Sequence, residues 1–202
     1  MLRPIQVFVS YGHEDVSYLG DDSLLGFLRG LEKEGVDFWT DRQITAGEIW
    51  DDVIKGRIAE SDIALVLVSQ WFLDSPYCTV EISGFLAKAA VVVPVLLSPC
   101  EWERHDWLKS RQFLPGDGKT ILSHYQSRGD REGLFLEIRD HLRRQVEKIR
   151  AVEKAAATSV KTLAVSRPDA SSSATLRPEL TKRARLFPRL ACPAYLRKYY
   201  TE

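Results

Sequence analysis

Cysteine is scarce in this chain: Cys78, Cys100 and Cys192 are the three among 202 residues. They are odd in number, widely spaced, and form neither a C-x-x-C nor a Cys/His cluster, which argues against a disulfide framework and a structural zinc site. No run approaches the roughly 18 consecutive apolar residues of a membrane span. The N-terminal MLRPIQVFVSY has one arginine and lacks the long apolar stretch and small-residue cleavage site of a signal peptide. The expected setting is cytoplasmic, with no membrane partner. The common nucleotide signatures are missing too: there is no G-x-x-x-x-G-K-[ST], and no G-x-G-x-x-G follows the first apolar run. Ser10 does not sit in a G-x-S-x-G elbow. A phosphoacceptor domain of the same fold class would need an aspartate at the end of the third strand, but that strand ends in Val68-Ser69 and Asp62 lies at its start. His105, His124 and His141 show no ligand spacing, so no metal is expected.

What the chain does have is enough apolar material for a real core, 45% hydrophobic against 28% charged. Its formal charge balances at 28 basic against 28 acidic residues, but unevenly along its length. Residues 1–150 hold 18 Lys+Arg and 24 Asp+Glu, a net of −6, and residues 151–202 hold 10 and 4, a net of +6.

Short apolar runs alternate with helical periodicity. Ile5–Tyr11 reads as a buried strand ending in a Ser-Tyr-Gly turn. Asp21-Asp22-Ser23 offers an N-cap to a helix carrying Leu24, Leu25, Phe27, Leu28 and Leu31, with Gly35 as its C-cap. Val36–Trp39 is a second strand, 41–47 a loop, and 48–59 an amphipathic helix with Ile49, Val53, Ile54 and Ile58 inward. Ile63–Val68 is apolar on both faces, as a central parallel strand must be. A helix is expected over 80–90, a fourth strand over 91–97, a fifth over 119–122, and a long last helix with Leu134, Ile138, Leu142, Val146 and Ile149 on one face. Alternating strands and helices make βαβ units, hence a parallel sheet covered on both faces. Ligands on such sheets bind beyond the carboxyl ends of the strands, where strand order reverses. That singles out 10–15, 39–47 and 69–81.

From about Ala151 the composition shifts. Residues 151–176 are Ala/Ser/Thr-rich and read as a flexible linker. Residues 177–202 are basic, interleaved with Leu, Phe and Tyr, and broken by Pro178, Pro188 and Pro193. This tail is too short for its own core. It suits docking on a partner or on its own acidic domain, or the start of a further domain that this chain does not complete. Nucleic acid is the weaker reading, because no recognition motif is present.

At the carboxyl edge a specific set remains: the Ser10-Tyr11-Gly12-His13 turn, Trp39 with Asp41, and Tyr77 four residues before Glu81. Tyr77 is expected just outside the helix and Glu81 at or near its start, where the helix dipole favours the ionised carboxylate. Cys78 reads as a small buried thiol, and Trp50, Trp71, Trp102 and Trp107 as packing or surface-covering residues.

VFVSYGHED, GVDFWTDRQITAGEIW and SDIALVLVSQWFLDSPYCTVEI together resemble the TIR family over roughly residues 5–148. The last segment is the most specific, an apolar strand ending in Ser, a Ser-Pro-aromatic-Cys loop, and Glu three residues after the Cys. The resemblance implies a flavodoxin-like, doubly wound, five-stranded parallel sheet (the TIR fold) over residues 1–150, with a C-terminal extension. In the enzymatic branch of that family the domain cleaves the nicotinamide–ribose bond of NAD+. By position the resemblance makes Glu81 the catalytic residue. It puts Ser10, Tyr11, Gly12, His13, Trp39 and Tyr77 around the dinucleotide, with Tyr where Trp is frequent at position 77. It makes 41–47, with Asp41, Arg42 and Gly47, a loop that adjoins the nucleotide site and mediates assembly. The implied partners are NAD+ as substrate, further copies of the chain and other TIR-containing proteins, with no cofactor. Two functions follow from the resemblance: an NADase activated by assembly, in immune or antiphage defence, or a non-catalytic adaptor acting through TIR–TIR contacts.

Overall fold

The computed structural model describes residues 3–165 apart from Ala89 and Asp117, with the side chains of 159–165 also left aside. The chain divides into two compact units, Met1–Val146 and Glu147–Glu202. The sheet lies in the first. Its strands are β1 (Ile5–Tyr11), β2 (Val36–Trp39), β3 (Ile63–Val68) and β4 (Val91–Leu96), all parallel, in the order β2-β1-β3-β4. Every residue of β3 is buried, so its apolar run has no solvent face to alternate towards. Strand order reverses between β1 and β3. The chain leaves β1 towards β2 on one side and later returns to β3 on the other, which opens a crevice at their carboxyl ends.

Alternation along the strands separates two cores. On one face Phe8, Ala64, Val66 and Val68 pack against α2 (Trp50–Glu60) and α4 (Pro76–Lys88) through Ile54, Ile58, Cys78, Ile82 and Phe85. Phe8 lies 4.8 Å from Trp39 and 5.1 Å from Phe85, ring centre to ring centre. The opposite face belongs to α1 (Leu24–Leu28) and the first part of α7 (Arg128–Val165), where Phe27 meets Phe135 edge-on at 5.5 Å. Leu134, Ile138, Leu142 and Val146 of α7 are buried. Each such side chain contributes about 1.5–3 kcal/mol on leaving water.

Several expectations change in detail. The first helix is α-helical only to Leu28 and continues as a 3₁₀ segment, Arg29–Glu34, closed by Gly35 at φ 77°. The segment after Ser69 is not a plain loop. Ser69 caps a short helix, α3 (Gln70–Asp74), by accepting from the Phe72 amide at 3.1 Å. Two further short helices follow, α5 (Asp106–Lys109) and α6 (Ile121–His124).

The fifth strand expected over 119–122 does not form, and α6 begins there instead. The sheet is flanked at that edge by a single bridge, Val95 to Leu114, with the Leu96 amide donating to Leu114 O at 2.7 Å and the Leu114 amide to Pro94 O at 2.9 Å. Pro115 follows directly, and with no N–H to give it cannot extend the ladder. The expected linker is also corrected in part, since α7 runs on through Val165. Alanine-rich AVEKAAATSVKTLAV carries high intrinsic helix propensity despite its lack of apolar period. The rest of the linker (166–176), the basic tail (177–202) and Cys192 lie outside the described residues.

Gly56 sits exposed inside α2 with open space where a Cβ would be. Gly56→Ala should therefore raise stability by about 1 kcal/mol, some ~2–4 °C in Tm, through the entropy that glycine loses in a helix. Thermal unfolding checks this, and a lower Tm would mean the site is crowded.

Candidate active site

Helix α4 brings Glu81 to the crevice. Ser75 stands before its first turn, taking the Cys78 amide on Oγ at 3.4 Å, and Pro76 occupies the first helical position, where a missing N–H costs nothing. The helix thus starts earlier than its apolar period suggests. Tyr77 lies inside the first turn, and Glu81 a full turn further on.

That placement changes the electrostatics expected from the sequence. Glu81 is beyond the first turn, where the helix dipole fades. It is also buried, at 8% exposure. Burial pushes its carboxyl up to about 8; the hydrogen bond from Ser10 opposes this, and the nearby Asp41 carboxyl adds to it. At neutral pH the resting carboxyl is therefore mostly protonated.

Ser10 is buried near the end of β1, and its Oγ donates to Glu81 Oε2 across 71 positions of sequence. The next residue, Tyr11, sends its hydroxyl to Asp41 Oδ1 at 2.5 Å, at the start of a 3₁₀ turn, Asp41–Gln43, that leaves β2. Burial raises the Asp41 carboxyl, while the Tyr11 hydrogen bond and the nearby His13 and Arg42 favour its charge. The Cys78 thiol touches the Tyr11 carbonyl at 3.6 Å and is held well above its usual value by burial and by Glu81. It is an inert buried thiol, not a nucleophile.

Gly12 follows in extended backbone, φ −71° and ψ 141°. Its glycine is required by space: a Cβ would lie 2.8 Å from the Phe72 amide nitrogen, 2.9 Å from Asp15 Oδ2 and 3.1 Å from the Trp71 carbonyl carbon. The turn is clamped against α3 by Ser69 Oγ, which donates to Asp15 Oδ2 at 2.5 Å. Asp15 and Ser69 fall within segments expected at the carboxyl edge, but no local pattern links residues 54 positions apart.

The aromatic residues divide. Trp39 is a core residue at 5% exposure, flanked by Phe8 and with the Arg57 guanidinium 5.6 Å from its ring centre. Tyr77 is half-buried and meets Trp50 edge-on at 5.4 Å, with the Trp50 indole nitrogen buried and unpaired. Trp71 is 59% exposed. Arg42 and Gly47 are exposed, Gly47 at φ 98°, where a side chain is disfavoured. Ser10, Tyr11, Asp41, Cys78 and Glu81 thus form one connected group, with Gly12 and His13 on its turn and Tyr77 one helical turn away. A separate groove of about 600 Å³, lined among others by Asp15, Tyr18, Leu97, Arg131 and Phe135, contains none of the expected site residues.

Over 121 residues, 57% of its length, the chain is 36% identical to an uncharacterized protein of Sinorhizobium fredii, and it spans 36% of that protein's length. Among solved structures it is similar to the TIR domain of the Toll-related receptor TRR-2 of Hydra magnipapillata. That likeness has 23% identity and a TM-score of 0.41, covering 50% of this chain and 78% of that one. It is also similar to the TIR domains of the activated Roq1 resistosome, with 16% identity and a TM-score of 0.49, covering 68% of this chain and 99% of that one. A family model described as TIR domain matches residues 7–120, more than half of the chain and every element that builds the crevice, and the chain belongs to the TIR domain family.

Proposed function

We propose that this domain is an NAD+ nucleosidase with Glu81 as its catalytic carboxylate, that it works in an assembled state, and that it serves immune or antiphage defence. One observation carries the reading: Glu81, hydrogen-bonded to Ser10, stands at the carboxyl end of β1, beside the reversal of strand order.

The reaction suits a lone carboxylate. Nicotinamide is a cationic leaving group, so when the ribose C1′–N bond breaks, its electron pair neutralises the ring and no general acid is asked for. Positive charge develops on the ribose, as in glycoside hydrolysis. An ionised Glu81 beside that ribose would stabilise it and accept a hydroxyl hydrogen bond. Water attack at C1′ would then give ADP-ribose and a proton, whereas attack by an adenine nitrogen would give a cyclic product. The cationic substrate itself favours the charged form of Glu81.

The test is NAD+ loss and nicotinamide release by the purified full chain over a wide range of protein concentration. Turnover per molecule should rise with concentration. It should also climb about tenfold per pH unit in kcat/KM below about 8, where Glu81 titrates. Turnover that is flat in concentration would remove the assembly requirement. No turnover at all would favour the adaptor reading, in which contacts between TIR domains are the whole function. The observation on that side is Ile49, 67% exposed at the end of the loop that follows β2.

A further inference from the structure

Helix α4 meets β1 at two levels. Phe8 and Ser10 lie two apart on β1 and so point to one face of the sheet, and Phe85 and Glu81 lie four apart on α4 and share one face of the helix. Two strand residues and four helix residues each advance about 6–7 Å, so the two pairs come into step. The lower contact is apolar: Phe8 and Phe85, with ring centres 5.1 Å apart, fix α4 on the sheet. The upper contact is polar, the hydrogen bond from Ser10 Oγ to Glu81 Oε2. It lies beyond the end of β2, whose pairing with β1 stops at Phe8 and Trp39, so Ser10 borders the crevice with Val66 of β3 on its other side.

Both partners are buried, Ser10 at 1% and Glu81 at 8% exposure. The two oxygens of Glu81 differ. Oε2 accepts from Ser10, whereas Oε1 has no hydrogen-bond partner among the described residues and is not one of the sealed, unpaired atoms. Oε1 is thus the oxygen that opens to the crevice. A hydroxyl has a single hydrogen to give, and that of Ser10 is committed to Glu81 before any substrate arrives.

Resting on the reading of Glu81 as the catalytic carboxylate, we propose that Ser10 is its positioning residue, acting through Glu81 and not on NAD+ itself. Its hydroxyl holds Oε2 against β1 and leaves Oε1 presented to the ribose. A carboxylate free to turn about its last torsion spreads over many orientations, few of which face the developing charge. One held in place needs no reorganisation at the moment of reaction. The same hydrogen bond favours the ionised form that the proposed reaction uses, against burial and the nearby Asp41 carboxyl. The Cys78 thiol, one turn earlier on α4, is also near but bonds the Tyr11 carbonyl instead.

The test is Ser10→Ala in the full chain, which removes the donor and adds no bulk. With NAD+ as substrate, kcat should fall about tenfold or more while KM changes by less than about twofold. The rise of kcat/KM with pH should move up by about one unit, the effect of losing one hydrogen bond to a charged group. Ser10→Thr, which keeps a hydroxyl on the same carbon, should recover most of the lost kcat. An unchanged kcat overturns the proposal, as does a raised KM with kcat intact, which would put Ser10 on the substrate. A carboxyl-carbon NMR titration of the glutamate-labelled chain without substrate needs no turnover, and the Glu81 signal is assigned by its loss in Glu81→Gln. Its midpoint should lie near 8 in the parent and higher in Ser10→Ala. An equal or lower midpoint overturns the proposal whatever the turnover. A raised midpoint in a chain without turnover would keep the contact but sink the catalytic reading of Glu81, and the role of Ser10 in that reaction with it. If Ser10→Ala does not fold, Ser10→Cys, a weak donor of similar size, takes its place with smaller shifts in the same directions.

Discussion

Glu81→Gln should lose NAD+ turnover by about 100-fold or more while becoming the more stable protein in alkaline solution. On the proposed mechanism the first effect follows from removing the carboxylate that would face the developing cation, a loss of about 3 kcal/mol of transition-state stabilisation. The second follows from linkage. The folded carboxyl titrates at about 8 against a usual 4.5, so the native state holds a proton that the unfolded chain has released. The stability this proton confers is fully present below about pH 4.5. It declines as the pH rises and is lost through about 8. The full span corresponds to about 5 kcal/mol for a group this buried. Glutamine has no proton to lose and can still accept from Ser10. At pH 5 the two proteins should unfold at similar denaturant concentrations, and by pH 8.5 the variant should be ahead by roughly 2 kcal/mol or more. Chemical denaturation at both pH values is the check. A difference that does not change with pH would mean that Glu81 is not held protonated in the native state. In the proposed reaction, a carboxyl that weakens the fold when ionised would be needed in its ionised form, a trade between stability and activity.

Gly12→Ala should be among the most damaging single-methyl additions in the domain. The backbone there is open to any residue, so strain is not the reason. The reason is the 2.8 Å between the new Cβ and the Phe72 amide nitrogen, with the Trp71 carbonyl carbon 3.1 Å away. Both are backbone atoms of a capped helix and cannot swing aside as a side chain would. The turn must lift off α3, and the Ser69–Asp15 hydrogen bond at 2.5 Å goes with it. Overpacking of this kind costs about 2–3 kcal/mol, a fall of some ~5–12 °C in Tm. Ser10 and Tyr11 precede the turn immediately, so the contacts to Glu81 and Asp41 should loosen together and turnover should fall beyond what unfolding explains. An unchanged Tm with unchanged kcat would show that the turn has slack, contrary to these distances. Gly56→Ala, in open space on α2, is the internal contrast, since the same substitution should there stabilise.

What the sequence by itself determined was local. The four parallel strands, Gly35 as a helix stop and the crevice-forming segments 10–15, 39–47 and 69–81 were legible because apolar period and turn chemistry act over a few residues. Family resemblance added Glu81 as the residue to watch. Tertiary structure decided the rest. Whether 119–122 joins the sheet turned on what lies beside β4, where a one-residue bridge at Leu114 takes the edge and Pro115 ends it. Whether Glu81 carries a charge turned above all on burial, which outweighs the hydrogen bond from Ser10, and the helix-start argument pointed the wrong way because the helix begins at Pro76. The pairs Ser10–Glu81, Tyr11–Asp41 and Ser69–Asp15 span 71, 30 and 54 positions. A hydrogen bond over such separations exists only once the sheet has closed those loops, and a carboxyl meets its true dielectric only once water has been excluded around it.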